Sequence, residues 1–120
     1  MNSVVSSLHI YSDPDGPGQQ LDAVEMTPTG PKGNRAKKNA VHLIAASDFV
    51  VSQPKANVVL DIEPDALEAL VGRTVRIGSC TLAVTRTPSQ CAGVYAEVIE
   101  PGDVAVEDRL LVGEAVASAG

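Results

Sequence analysis

The chain has 120 residues with 15 Asp and Glu against 9 Lys and Arg, a net charge of -6, no Trp, one Phe and two Tyr. That length supports one domain around one core, while the acidic balance and scarcity of aromatic platforms argue against general nucleic-acid binding. Apolar runs fall far short of the ~20 residues a membrane span needs, and the start of the chain lacks the basic and apolar regions of a signal peptide. With only two cysteines, the expectation is a cytoplasmic protein with reduced thiols and no membrane association.

Val is the commonest apolar residue, and β-branched side chains suit a pleated sheet. Val4 to Tyr11 alternates as a first strand. Asp13-Pro14-Asp15-Gly16-Pro17-Gly18 is a turn by composition, followed by a strand over Gln20 to Met26. Pro28 to Asn34 is a glycine- and proline-punctuated loop, Ala40 to Ala45 a short apolar strand and Asn57 to Leu60 another. Pro64 to Leu70 suits a short helix, with Pro in its first turn, Asp65 near its positive end and Gly72 to stop it. Thr74 to Ile77 and Thr81 to Thr85 flank Gly78-Ser79, a hairpin signal that leaves Cys80 to either turn or strand. Val94 to Ile99, Val104 to Val106 and Arg109 to Val112 complete the strands around a Pro101-Gly102 turn, and residues 115–120 read as a frayed tail. The pattern predicts a mainly β protein: one domain over residues 1–120, its core about 4–112. Its architecture is a barrel of short, largely antiparallel strands with one or two short helices.

Seven of the nine basic residues fall in two windows free of carboxylates, one holding Lys32, Arg35, Lys37 and Lys38, the other Arg73, Arg76 and Arg86. Such clustering is either a pair of solvated loops or a small anion site on an acidic protein. Within the first window, Gly30-Pro31-Lys32-Gly33-Asn34-Arg35 combines glycines that let backbone approach a ligand with two cations. Lys55-Ala56-Asn57 offers a point charge and an amide that either caps the following strand or orients a ligand. Cys91 leaves a strand through a polar turn, with Arg86 nearby and no carboxylate between Glu68 and Glu97. It is either a half-buried structural thiol or one activated by a neighbouring cation. His9 and His42 lie on strands without zinc-ligand spacing, so no metal site is expected.

The order of these motifs resembles the MOSC family, the domain at the C-terminus of molybdenum cofactor sulfurase that also occurs as small stand-alone bacterial proteins. The loop Gly30 to Arg35 is similar to the family's Gly-Leu-x-Gly-Asp-Arg, and Lys55-Ala56-Asn57 to its Arg-x-Asn. Val71 to Gly78, the Val84-Thr85 pair with Cys91 seven residues after Val84, Gly93-Val94-Tyr95-Ala96 and Val104 to Asp108 follow in the family's order. Asn34 stands where the family has Asp, Lys55 where it has Arg, and Cys91 abuts Gly93 without the helical segment that many relatives insert.

The resemblance implies a MOSC-like β-barrel in which Cys91 carries a persulfide. Lys32, Gly33, Asn34, Arg35, Lys55, Asn57 and Arg86 would form the ligand-binding surface. It further implies molybdopterin as a cofactor, a sulfur donor such as a cysteine desulfurase, and a molybdoenzyme or pterin as acceptor, within a multi-component sulfur-transfer system. The alternative expectation is a non-catalytic anion- or pterin-binding or protein-interaction module in which Cys91 only packs. A redox pair of Cys80 with Cys91 requires Cα atoms roughly 4.4 to 6.8 Å apart.

Overall fold

A computed structural model describes residues 3–13, 16–35, 39–52, 54–89 and 91–115. Pro14 and Asp15 of the first turn, Lys37 and Lys38 of the basic window, and the tail from 116 lie outside the described residues. The strands, in chain order, are β1 (Val5–Ile10), β2 (Gln19–Leu21), β3 (Ala23–Thr27), β4 (Gly30–Pro31), β5 (Val41–Ala45), β6 (Val58–Leu60), β7 (Arg73–Ile77), β8 (Cys80–Arg86), β9 (Val94–Glu100), β10 (Gly102–Ala105) and β11 (Leu110–Ala115). Helix α1 (Ala46–Ser52) separates β5 from β6, and α2 (Pro64–Glu68) separates β6 from β7.

Eight strands form one sheet in the order β11-β7-β8-β9-β5-β6-β1-β2, and β10-β3-β4 form a second. Neighbours are antiparallel except β5 and β6, which run parallel and are joined through α1. The large sheet curls into a half-barrel. Its flanks meet where Val4 bridges Arg109, the Val5 amide donates to the Asp108 carbonyl at 2.9 Å and the Leu110 amide to Ser3 at 2.8 Å. These bonds satisfy groups that would otherwise line an open edge.

Alternation fills the interior with Val5 and Leu8, Val41, Leu43 and Ala45, Val58 and Leu60, Leu82 and Val84, and Val94 and Ala96, together with Leu67 from α2. On the opposite face of β5 and β6, Ile44, Val59 and Ala56 form a second cluster with Phe49 of α1 and Ala92. These two central strands are thus covered on both sides, which explains why β5 is buried throughout and apolar but for His42.

The Gly78-Ser79 hairpin forms as its sequence dictates. Ile77 pairs with Cys80, Gly78 adopts φ 60°, and Ser79 keeps a negative φ, a pattern that matches a type II′ turn. A Cβ at Gly78 would strike the Asp103 carbonyl oxygen. Cys80 begins β8. Helix α2 starts at Pro64 as expected, and Gly72, at φ 89°, turns the chain toward β7.

Three features depart from the sequence reading. Helix α1, the second of the one or two short helices expected, forms on a segment to which the sequence pattern assigns no element. The stretch from Gln20 to Met26 breaks at Asp22, giving β2 to one sheet and β3 to the other. The glycine-rich loop contains the two-residue strand β4, paired with β3. Among the described residues, no helix is long and apolar enough to cross a membrane.

Candidate functional site

On the outer face of the half-barrel, five polar or aromatic residues stand side by side on five adjacent strands or their ends. Arg86 of β8 pairs with Tyr95 of β9, and Tyr95 with His42 of β5. The Asn57 amide, just before β6, donates to the His42 carbonyl at 2.9 Å, and the His9 amide of β1 donates to the Asn57 carbonyl at 2.8 Å. The sequence neighbours Val94, Leu43, Val58 and Leu8 are interior residues, so the twofold side-chain period of a strand turns Tyr95, His42, Asn57 and His9 outward. Arg86 joins them beyond the register shift that follows Val84.

Side chains join the row. The Arg86 guanidinium lies 5.3 Å from the centre of the Tyr95 ring and donates to the Asn39 side-chain oxygen at 3.4 Å. Tyr95 meets the His42 ring edge-on at 5.2 Å. His9 stacks at a tilt against Phe49 of α1, 5.0 Å between centroids, and hydrogen-bonds Ser7 Oγ through Nε2 at 2.9 Å. Burial lowers the His9 pKa from its ordinary 6.5, because the cation loses solvation there.

Asn57 is 1% exposed. Its Oδ1 accepts from the His42 amide at 3.0 Å, and its Nδ2 donates to the His9 carbonyl at 3.2 Å and to Asn34 Oδ1 at 3.3 Å. These contacts make it a staple between three strands and the glycine-rich loop. Asn34 completes that staple: its Oδ1 accepts from the Tyr11 amide at 2.7 Å, and its Nδ2 donates to the Arg35 carbonyl at 3.1 Å. An aspartate could not make the second bond, so an asparagine here suits a structural joint.

The loop is fixed on both flanks, by the Lys32 amide donating to Glu25 and the Arg35 amide to Tyr11. Gly33 sits at φ 91°, where a Cβ would come within 2.9 Å of Ile10 Cδ1. Lys32 and Arg35 are exposed, and Lys55 Nζ lies 6.0 Å from the centre of the Tyr11 ring. Tyr11 is buried, which pushes its phenol pKa upward from 10.

Cys91 is exposed, on the turn between β8 and β9. It opens into a cleft of about 160 Å³ shared with Asp48 of α1, Pro64, Leu67 and Glu68 of α2, and Thr87, Pro88, Ala92 and Gly93. The structure thus gathers Lys32, Gly33, Asn34, Arg35, Lys55 and Asn57 around Tyr11 and the end of β1. Arg86 lies at the other end of the row, and none of these residues lines the Cys91 cleft. Among the described residues, the charged groups that do line it are two carboxylates, supplied by the helices.

The connection between cleft and row is His42, whose Nε2–H donates to the Ala92 carbonyl at 2.8 Å. On sequence grounds His42 is a strand histidine without zinc-ligand spacing. Its one visible signal is being the sole polar residue in a buried apolar strand.

Cys80 is different in kind. It is 0% exposed inside the barrel, and burial, with Glu100 adding a smaller effect, raises its pKa to about 11. Both thiols are free. One is a core residue and the other faces solvent, so the structure holds no Cys80–Cys91 disulfide. Among the described residues, no three metal-ligating side chains cluster, and no buried side-chain nitrogen or oxygen lacks a partner.

The curled sheet is MOSC-like by its similarity to solved structures. The chain superposes on the crystal structure of YuaD from Bacillus subtilis with a TM-score of 0.76 at 15% identity, covering 97% of this chain and 98% of that one. It superposes on YiiM from Geobacillus stearothermophilus with a TM-score of 0.71 at 13% identity, covering 98% of this chain and 78% of that one. For YiiM from Escherichia coli the TM-score is 0.69 at 16% identity, with 98% of this chain and 72% of that one covered. No protein-family model matches the sequence, and no curated protein matches it significantly.

Proposed function

We propose that this MOSC-like domain is a sulfur carrier, with Cys91 as the carrying residue. The observation that supports the reading is the contrast between the two thiols. Cys80 is sealed in the core, whereas Cys91 is exposed at the mouth of a cleft large enough for a small group. In the loading step the Cys91 thiolate attacks the outer sulfur of a donor persulfide, such as that of a cysteine desulfurase. A new S–S bond forms on Cys91, the donor's S–S bond breaks, and the donor leaves as a thiolate. An acceptor thiolate then attacks the outer sulfur of the Cys91 persulfide and regenerates Cys91.

The cleft, about 160 Å³ in volume, carries Asp48 and Glu68, which oppose an anionic group there, so molybdopterin enters this reading as an acceptor rather than as a resident of the cleft. A cytoplasmic setting and a molybdoenzyme or pterin as the final acceptor remain part of the proposal through the resemblance alone.

A second reading has its own support in the separation of the cations from the thiol. In it, Lys32, Arg35 and Lys55 beside Tyr11 hold an anionic ligand, while Cys91 is structural. Incubation with a cysteine desulfurase and cysteine distinguishes the two. Sulfur carriage predicts a persulfide on the wild type that Cys91→Ser abolishes and Arg35→Ala retains. The binding module predicts no persulfide, and inorganic phosphate binding that Arg35→Ala weakens and Cys91→Ser does not.

A further inference from the structure

We infer that His42 is the positioning residue of the Cys91 turn. The inference deepens the sulfur-carrier reading and rests on it for the role of Cys91, but its test does not require sulfur transfer. His42 is 4% exposed and makes its contacts from a strand covered on both faces, which leaves the ring little freedom. Its backbone is locked to Asn57 in both directions, N–H to side-chain oxygen and C=O to N–H. The Tyr95 ring meets it edge-on. From that fixed base, Nε2–H reaches the carbonyl of Ala92, the residue after Cys91.

Gly93 closes the arrangement. It adopts φ 95°, and a Cβ there would strike the Leu43 carbonyl oxygen and come within 2.8 Å of His42 Nε2. The turn lies so close to the strand that no side chain fits between them. The His42 hydrogen bond and the tight approach of Gly93, with Ala92 packed on the Ile44 cluster, hold the Ala92 peptide against β5 and so place the chain that carries Cys91 at the cleft. Carbonyl oxygen only accepts, so the proton on the facing ring nitrogen is required.

The test compares His42→Leu, which removes the donor, with His42→Gln, whose side-chain amide restores one. The readout is the rate of Cys91 alkylation by iodoacetamide across pH, with the modified cysteine assigned by peptide mass spectrometry. His42→Leu is expected to change the Cys91 rate by about fivefold, the worth of one net hydrogen bond, with the Gln variant returning to within about twofold of wild type. Gly93→Ala displaces the turn with the histidine intact and is expected to reproduce the Leu profile, which keeps the test decisive if His42→Leu fails to fold. Wild-type rates in both His42→Leu and Gly93→Ala would overturn the inference, as would an equal shift in the Leu and Gln variants. Absence of a persulfide on wild-type protein would instead count against the sulfur-carrier reading and leave the alkylation result interpretable.

Discussion

Asn57 and His42 are tied to each other twice: the Asn57 N–H donates to the His42 carbonyl at 2.9 Å, and the His42 N–H donates to the Asn57 side-chain oxygen at 3.0 Å. The second bond uses a side chain where a regular ladder would use backbone. It lets one residue hold β5 while its amide nitrogen holds β1 and the glycine-rich loop. The surface carrying Lys32 and Arg35 and the turn carrying Cys91 thus depend on one buried asparagine, although it lines neither.

Replacing Asn57 by Leu is therefore expected to be severe. It leaves the His42 N–H without its acceptor and takes a donor from the His9 carbonyl and one of two from Asn34 Oδ1, which keeps the Tyr11 N–H. Each buried group left unsatisfied costs about 1–3 kcal/mol, so a total loss of about 3 kcal/mol or more is expected in urea unfolding. A loss below about 1 kcal/mol would mean that water replaces the amide.

Asn34→Asp is expected to be mild. The oxygen that accepts from the Tyr11 amide survives, and the lost donor served the Arg35 carbonyl on an exposed stretch. A change of about 1 kcal/mol or less is predicted from the same unfolding measurement.

His9 gives stability a pH dependence of known sign. Its folded pKa lies below the unfolded 6.5 because burial disfavours the imidazolium. Near neutrality both states are unprotonated and the His9 contribution is intact. As pH falls below 6.5 the unfolded chain takes up the proton first, and stability is lost down through the lower folded pKa. The urea midpoint should decline on acidification, with a shallower slope in His9→Phe, which keeps a ring against Phe49.

The two cysteines should separate cleanly under a thiol reagent. At mildly alkaline pH, Cys91 is accessible, whereas Cys80 is both enclosed and protonated until its pKa of about 11. Rapid labelling of one thiol is expected in the native state and of two after unfolding. Because burial raises the Cys80 pKa from 9.0 to about 11, its contribution to stability is present below pH 9 and fades as pH rises toward 11.

Local signals in the sequence were legible where physics is local. Gly78-Ser79 encodes its hairpin, Pro64 opens α2, and alternation marks β1. Helix α1 was not legible. Its segment carries Val50 and Val51, which are 71% and 85% exposed, and its formation depends on Phe49 packing over Ile44 and Val59 and on spanning a parallel strand pair. Those are long-range conditions. The same holds for the site. Proximity in sequence suggested that Arg86 would accompany Cys91, but the turn carries Cys91 to a cleft bounded by Asp48 and Glu68, from helices distant in sequence. Which charge meets which thiol is decided by strand order, and the His42–Ala92 bond joins residues 50 positions apart.

The most direct test is peptide mass spectrometry after incubation with a cysteine desulfurase and cysteine. Sulfur carriage predicts a gain of about 32 Da, one persulfide sulfur, on the peptide containing Cys91 and none on that containing Cys80. An unmodified Cys91 under conditions that load a known sulfur-accepting protein would contradict it.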